Sequence, residues 1–151
     1  MNWLVTGGAG FIGAHVVREL ISINENPIVL DDLSSGVIAN IPSGVELIVG
    51  SIADSGIVRQ TIERHSITGI INLAALKSVS ESEAYPERYE TINYSSVRSL
   101  IRESKSLGVE NFIQSSTAAV YGNSATGYVS ERDQLFPISQ YGKTKKMLKK
   151  C

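Results

Sequence analysis

A tyrosine and a lysine near the end of the chain, Tyr141 and Lys145, have the spacing of a proton-transfer pair. Side chains four residues apart lie about one turn apart on the same face of a helix. An ammonium group beside a phenol stabilises the phenolate form over the neutral form. The pair therefore predicts a tyrosine that acts as a general base, and the alternative is a solvent-facing pair without a chemical role.

The segment before this pair supplies a hydroxyl group that could assist the tyrosine. Thr117 lies just past the last predicted strand, at the edge of an open parallel sheet where ligands bind. Because a threonine hydroxyl both donates and accepts hydrogen bonds, Thr117 could bridge a substrate hydroxyl and Tyr141. The alternative is a loop hydroxyl that bonds to the nearby backbone.

A glycine-rich turn near the start of the chain predicts a site for a diphosphate. Gly7, Gly10 and Gly13 follow the first predicted strand directly. In such a motif the first glycine permits a tight turn, the second lets the backbone approach the diphosphate, and the third lets the following helix pack closely. The helix N-terminus adds unpaired N–H donors and the positive end of the helix dipole. The motif is weak alone, but the strand before it and the amphipathic helix after it supply the expected context.

An acidic residue, Asp31, ends the second predicted strand. At this place a carboxylate can accept hydrogen bonds from both hydroxyls of an adenosine ribose, and it would repel a 2′-phosphate. The sequence therefore predicts NAD rather than NADP as the ligand. The alternative is a structural glycine turn with an incidental aspartate.

Predicted strands and helices alternate along the chain. Short runs rich in Val and Ile predict strands at 2–6, 27–31, 45–50, 69–73 and 111–115. Amphipathic segments between them predict helices, the longest over Pro86–Leu107, and Asp54 is a possible N-cap of an earlier one. The alternation predicts an α/β fold with a doubly wound parallel sheet, a Rossmann fold, with five strands in the order 3-2-1-4-5. The full six-strand order leads us to expect an incomplete domain over 1–151, ending before the sixth strand.

The composition is that of an ordinary globular domain, with 42% hydrophobic and 19% charged residues. A net charge of −1 gives no global field that would recruit nucleic acid or an anionic membrane. Since we see neither an apolar run that could span a bilayer nor a signal peptide, we expect a cytoplasmic protein without a membrane partner. His15 and His65 lack partners at metal-ligand spacing, so no metal site is predicted.

The order of the motifs resembles the extended short-chain dehydrogenase/reductase family along the whole chain. The motifs are TGGAGFIG, DDLSSG, NLAALKSV, FIQSSTAAVYG and YGKTK. Within that family, Leu76–Ser82 is similar to a stretch of the UDP-glucose 4-epimerases. The nucleotide-sugar dehydratases usually carry an Asp-Glu pair where this chain has Ala118 and Ala119, which argues against dehydration.

The resemblance implies NAD-dependent epimerisation at C4 of a UDP-hexose, through a 4-keto intermediate that links UDP-glucose and UDP-galactose. It implies three catalytic residues, Thr117, Tyr141 and Lys145, with Tyr141 removing the proton of the sugar 4-hydroxyl. The cofactor-binding residues that it implies are Gly7, Gly10, Phe11, Ile12, Gly13, Asp31, Asp32, Leu33, Ser34, Ser51, Ile52, Leu73, Ala74, Ala75, Lys77, Ser115, Tyr141 and Lys145. Of these, 73–75 and Lys77 would line the nicotinamide, and Ser115 would lie by the reacting carbon.

Three positions depart from the family pattern. Ser51 stands where the family usually has an aspartate that accepts from the adenine amino group. Ala75 replaces a usual glycine, and Ile92 replaces the first of two asparagines and leaves only Asn93. We expect these changes to loosen the cofactor site without altering the assignment.

The resemblance also implies a C-terminal region that binds the uracil and much of the sugar. We expect that region to be absent here, so that there is no separate substrate domain and catalysis by this chain alone is absent or very weak. The alternatives are a catalytically silent NAD-binding fragment and another NAD-dependent nucleotide-sugar epimerase or decarboxylase. In relatives the helices equivalent to Pro86–Leu107 and to the Tyr141 helix form a dimer, so a homodimer is a further expectation.

Overall fold

Five parallel strands form one sheet in this computed structural model, which describes residues 1–124 and 127–149. Their order is β3-β2-β1-β4-β5, and all four pairings are parallel. The strands are β1 (Asn2–Thr6), β2 (Asn26–Asp31), β3 (Glu46–Val49), β4 (Gly69–Asn72) and β5 (Asn111–Gln114). The predicted fold class, strand number and strand order are confirmed.

Six α-helices accompany the sheet within the described residues. They are α1 (Phe11–Ser22), α2 (Ser55–Arg64), α3 (Val79–Ala84), α4 (Pro86–Glu90), α5 (Ser96–Ser106) and α6 (Gln140–Leu148). The single helix predicted over Pro86–Leu107 is interrupted, because a π-helical segment, Thr91–Ser95, separates α4 from α5. Asp54 caps α2 as predicted, accepting hydrogen bonds from the backbone N–H groups of Gly56 and Ile57. None of these helices has the length and apolar character that a membrane span needs.

Helix α1 packs on the sheet through apolar side chains in its middle. Val17 and Leu20 join Val5 and Val29 in a buried cluster. Ile12, an apolar residue in the first turn of the same helix, is 64% exposed. The middle of α1 therefore packs on the sheet, while Phe11 and Ile12 at its start remain exposed.

The chain divides into two compact units, which are described separately below. The first unit comprises Met1–Ala74 and Ser99–Ser115 and contains all five strands. The second unit comprises Ala75–Arg98 and the chain from Ser116 onward. The predicted diphosphate turn belongs to the first unit, and the predicted proton-transfer pair belongs to the second.

Candidate functional site

The glycine turn of the first unit requires glycine at its first position. Gly7 has a φ of +71°, a conformation that side-chain-bearing residues rarely adopt. A Cβ at Gly7 would lie 2.8 Å from the backbone nitrogen of Ala74 and 3.0 Å from the carbonyl carbon of Leu73. The turn therefore packs directly against Leu73 and Ala74, two of the residues predicted to line the nicotinamide.

The N-terminus of α1 lacks a side-chain cap. Gly10 occupies the N-cap position, and no side-chain hydrogen bond closes this helix end. By contrast, α2 and α6 are capped by Asp54 and Ser139. Unsatisfied N–H groups at a helix N-terminus attract an anion. The geometry therefore leaves this helix end suited to the diphosphate that the sequence predicts.

The carboxylate of Asp31 points at the glycine turn. Its Oδ2 accepts a hydrogen bond from the backbone nitrogen of Ala9 at 3.0 Å, and its Oδ1 accepts one from Leu33 at 2.8 Å. Asp31 is buried, with 7% of its surface exposed. Since an ionised carboxylate has about four acceptor positions, these two bonds leave capacity for two ribose hydroxyls. This is the orientation that the ribose-binding prediction requires.

Three further predicted cofactor residues, Asp32, Leu33 and Ser34, form an irregular segment directly after Asp31. Leu33 has a φ of +58°, which is strained for a residue with a side chain. Asp32 stabilises this segment, because its Oδ1 accepts from the backbone nitrogen of Ser34 at 2.9 Å and from its hydroxyl at 2.5 Å. Strained residues of this kind cluster at ligand-binding sites.

Two residues that the sequence did not single out hold the glycine turn from the other side. The carbonyl oxygen of Ala9 accepts from the backbone nitrogen of Val37 at 3.0 Å and from Nδ2 of Asn40 at 2.9 Å. Because the Ala9 N–H also donates to Asp31, hydrogen bonds hold both the N–H and the carbonyl of Ala9. A short-range sequence motif could not predict these contacts, because Val37 and Asn40 come close to the glycine turn only when the chain folds.

Ser51 and Ile52 show how the predicted adenine side is built. The Ser51 hydroxyl accepts a hydrogen bond from the backbone nitrogen of Ala53 at 3.2 Å. Ile52 is only 5% exposed, so its side chain belongs to the core. Any contact of Ile52 with a ligand would therefore be made chiefly by its backbone.

Ser115, the last residue of the first unit, is held through its backbone. Its N–H donates to the carbonyl of Asn72 at 3.2 Å, and its carbonyl accepts from Nε2 of Gln114 at 2.9 Å. Sequence reasoning missed Asn72 and Gln114. The available signal was that β4 and β5 each end on a polar amide residue directly after apolar residues.

In the second unit, Tyr141 and Lys145 lie on α6, as the sequence predicts. Tyr141 is partly buried, and Lys145 is 3% exposed. Burial lowers the pKa of Lys145 from 10.5 to about 8, because desolvation disfavours the charged ammonium. At neutral pH the lysine is therefore still mainly the charged ammonium, but it loses its proton at a lower pH than an exposed lysine.

The first turn of α6 is fixed by side-chain acceptors on three consecutive N–H groups. Glu83 Oε1 accepts from Gln140 at 2.7 Å, and the Ser82 hydroxyl accepts from Tyr141 at 3.1 Å. The Ser139 hydroxyl accepts from the third N–H at 3.0 Å. Since Ser82 and Glu83 belong to α3, these bonds tie the Tyr141 backbone to another helix.

Gly142 lets α6 pack against the 3₁₀ turn Ala118–Val120. A Cβ at Gly142 would lie 2.7 Å from the carbonyl oxygen of Ala119. Thr117 is the N-cap of this turn, and its hydroxyl accepts from the Ala119 backbone nitrogen at 3.2 Å. The local-backbone interpretation of Thr117 is therefore observed, although a hydroxyl that accepts one hydrogen bond can still donate another.

Asn93 organises the two other predicted residues of the second unit, Ala75 and Lys77. Asn93 is fully buried in the π-helical segment. Its Oδ1 accepts from the backbone nitrogen of Leu76 at 2.9 Å, and its Nδ2 donates to the Leu76 carbonyl at 2.8 Å. This paired contact fixes the backbone between Ala75 and Lys77, and the Lys77 side chain is exposed.

The sequence pattern of the NAD dependent epimerase/dehydratase family matches residues 3–151. The chain belongs to this family. The expectations of an epimerase-type extended dehydrogenase fold and of an NAD-dependent family are thereby confirmed. Within residues 1–124 and 127–149, no group of three His, Cys, Asp or Glu residues could hold a metal ion.

Curated relatives of this family member include UDP-glucose 4-epimerases from several bacteria. The enzyme of Streptomyces lividans is 34% identical over 145 residues, which cover 95% of this chain and 44% of the relative. The enzyme of Halalkalibacterium halodurans is 37% identical over 150 residues, which cover 99% of this chain and 45% of the relative. The chain thus spans about half the length of the curated relatives that it matches.

Solved structures of family members match the fold closely. The UDP-glucose 4-epimerase of Thermus thermophilus, in complex with NAD, has a TM-score of 0.95 at 32% identity, over 99% of this chain and 49% of that one. The Thermotoga maritima epimerase with UDP-glucose has a TM-score of 0.92 at 38% identity, over 97% of this chain and 48% of that one. A dTDP-glucose 4,6-dehydratase of Streptomyces venezuelae, with NAD and TYD bound, has a TM-score of 0.88 at 31% identity. The match covers 97% of this chain and 48% of the dehydratase chain. The fold alone therefore does not separate the epimerases from the dehydratases.

Proposed function

We propose that this chain is the cofactor-binding part of a UDP-hexose 4-epimerase that binds NAD through the first unit. The observation that carries the proposal is the Asp31 carboxylate, hydrogen-bonded to Ala9 within the glycine turn and buried beside it. A carboxylate fixed at this place selects free ribose hydroxyls and repels a 2′-phosphate. The backbone N–H groups at the start of α1 supply the donors for the diphosphate.

The residues of the second unit supply the proton chemistry of the proposed reaction. The chemistry that NAD would supply when bound is the reversible acceptance of a hydride from C4 of the sugar. Tyr141 removes the proton of the 4-hydroxyl and later restores it, and Thr117 orients that hydroxyl. Lys145 hydrogen-bonds the nicotinamide ribose and, as the ammonium, stabilises the Tyr141 phenolate. In the first unit, Ser115 is the residue that we propose to lie beside the reacting carbon.

Epimerisation is favoured over dehydration by the residues that follow Thr117. Loss of water from a sugar needs an acid and a base in addition to the tyrosine. Ala118 and Ala119 carry no ionisable group, and they form the 3₁₀ turn on which α6 packs. The curated relatives named above are UDP-glucose 4-epimerases, which agrees with this interpretation. We infer a UDP-hexose as substrate and a cytoplasmic location.

A second candidate function is NAD binding without catalysis by this chain. It is favoured by the observation that the glycine turn and Asp31 both belong to the first unit, whereas the proposed proton-transfer residues belong to the second. Positioning of the substrate provides much of the rate enhancement at such a site. On this view the chain retains the cofactor but turns over no sugar alone.

The test is titration calorimetry of the purified chain with NAD and NADP, together with analysis of any nucleotide that co-purifies. We expect NAD to bind more tightly than NADP. Asp31→Asn should lower the affinity for NAD by about tenfold, because a charge-assisted acceptor of two hydroxyls is weakened. Glu19→Gln neutralises an exposed carboxylate on α1 and serves as the matched control. Equal binding of NAD and NADP, or no effect of Asp31→Asn, would contradict the proposal.

An assay of UDP-glucose and UDP-galactose interconversion separates the two candidates. The first candidate predicts a slow but measurable turnover from this chain with NAD present, and the second candidate predicts none. An ordinary enzymatic rate would exclude the second candidate, and it should then be lost in Tyr141→Phe. NAD binding without any turnover would support the second candidate.

A further inference from the structure

Three polar side chains form a hydrogen-bonded row across the carboxyl ends of β1, β4 and β5 in the first unit. Thr6, Asn72 and Gln114 are direct neighbours in the register of the sheet. The Thr6 hydroxyl donates to Oδ1 of Asn72, and Nδ2 of Asn72 donates to Oε1 of Gln114 at 2.8 Å. Nε2 of Gln114 then donates to the carbonyl of Ser115 at 2.9 Å. We refer to Thr6, Asn72 and Gln114 as the polar ladder.

The polar ladder is an unusual feature for strands of this type. Strands of a parallel sheet that is covered on both faces are normally apolar, and Thr6 and Asn72 are both fully buried. A row of buried polar groups contributes little net stability over apolar groups of the same shape, although breaking the row at one place is costly. Stability alone therefore does not account for the ladder.

The ladder holds the backbone at the points where β4 and β5 end. The Thr6 hydroxyl accepts from the backbone nitrogen of Ala74 at 3.5 Å, and the Thr6 carbonyl accepts from Leu73 at 3.0 Å. The Asn72 carbonyl accepts from the N–H of Ser115 at 3.2 Å, while Gln114 binds the Ser115 carbonyl. Ala74 and Ser115 are thus tied to one continuous set of hydrogen bonds.

We propose that the polar ladder positions Ala74 and Ser115 for the nicotinamide end of NAD. This inference rests on the proposed function, in which these residues lie along the nicotinamide and the reacting carbon. The adenosine end depends on a different set of contacts, those of Asp31 with Ala9 and Leu33. Loss of the ladder should therefore weaken the binding of the nicotinamide end and spare the adenosine diphosphate end.

The test compares the affinities of the chain for NAD and for ADP-ribose, which shares everything but the nicotinamide. Gln114→Leu should lower the affinity for NAD by about three- to tenfold, the net worth of one hydrogen bond, and leave ADP-ribose unchanged. It should also lower the urea midpoint, because it leaves the buried Asn72 amide without its acceptor. Gln60→Leu, on the exposed face of α2, is the matched control and should change neither quantity.

A second variant separates positioning from stability. Thr6→Val/Asn72→Leu/Gln114→Leu replaces the whole ladder by apolar groups, so its urea midpoint should recover relative to Gln114→Leu. Its preference for NAD over ADP-ribose should stay reduced. The inference is overturned if this variant prefers NAD over ADP-ribose as strongly as the wild type does, or if its affinities for both ligands fall equally. Either result would leave the proposed function, NAD binding by the wild-type chain, standing. If the wild-type chain binds neither ligand, the proposed function fails and the inference fails with it.

Discussion

Replacing Lys145 by methionine should make the protein more stable at neutral pH. The side chain is 3% exposed, and burial lowers its pKa from 10.5 to about 8. A pKa difference of one unit between the unfolded and folded chain corresponds to about 1.4 kcal/mol. The free-energy cost of burying the charged ammonium is therefore of the order of 3 kcal/mol. Methionine fills a similar volume without a charge but cannot keep the polar contact of the lysine, so Lys145→Met should recover part of that amount, about 1–2 kcal/mol.

The pH dependence of this gain follows from the direction of the pKa shift. Between about pH 8 and 10.5 the unfolded chain holds a proton on Lys145 that the folded chain has lost. The stability of the wild-type chain should therefore be highest above about pH 10.5, decrease as the pH falls to about 8, and not change further through this group below that pH. The advantage of Lys145→Met should be full at pH 7 and vanish above about pH 10.5.

Urea unfolding followed by circular dichroism at several pH values between 7 and 10.5 measures both effects. Lys143→Met changes an exposed lysine on the same helix, and its difference from wild type should be small and independent of pH. A loss of stability in Lys145→Met at pH 7, or a constant difference from wild type across the pH range, would refute the reasoning. The same variant should bind NAD more weakly, so that stability and function change in opposite directions.

Two further substitutions test how α6 is held. Gly142→Ala places a Cβ 2.7 Å from the Ala119 carbonyl oxygen. It should lower the free energy of unfolding, measured in urea, by about 1–3 kcal/mol. An unchanged urea midpoint would contradict the close packing of α6. Ser82→Ala removes the acceptor of the Tyr141 N–H from a fully buried site and should cost about 1–3 kcal/mol. Amide hydrogen exchange at Tyr141 should accelerate in Ser82→Ala and not in the exposed control Ser80→Ala. Equal exchange rates in the two variants would show that the Ser82 hydroxyl does not protect the Tyr141 N–H.

Local sequence signals predicted the sheet well because they are set within each segment. Val and Ile runs bounded by glycine, proline or polar residues identified all five strands, and the known order of doubly wound sheets supplied their arrangement. The least accurate limits were those of β3, which spans Glu46–Val49 rather than 45–50. This strand lies at the edge of the sheet and pairs only with β2, which itself ends at Asp31. The carboxyl end of β3 therefore coincides with that of its neighbour, because Val49 pairs with Asp31.

Tertiary contacts determined what the sequence did not predict. The π-helical segment carries Asn93, whose side chain pairs with the backbone of Leu76. The capping of α6 by Ser82 and Glu83 joins residues far apart in the chain. Neither contact produces a periodic or short-range pattern. The glycine turn and Asp31 were accessible from sequence, because a diphosphate site depends on fixed local spacing.

The N-termini of α1 and α6 differ in the way that their proposed roles require. A capping side chain at α1 would bind the same N–H groups that an incoming diphosphate needs, and glycine at the N-cap avoids this competition. The first turn of α6 carries Tyr141, and three side-chain acceptors fix its N–H groups within the protein. A general base must be held within hydrogen-bond reach of one particular proton, so a fraying helix end there would reduce its efficiency. The open end therefore fits binding and the closed end fits proton transfer, and exchanging the two capping patterns should impair both.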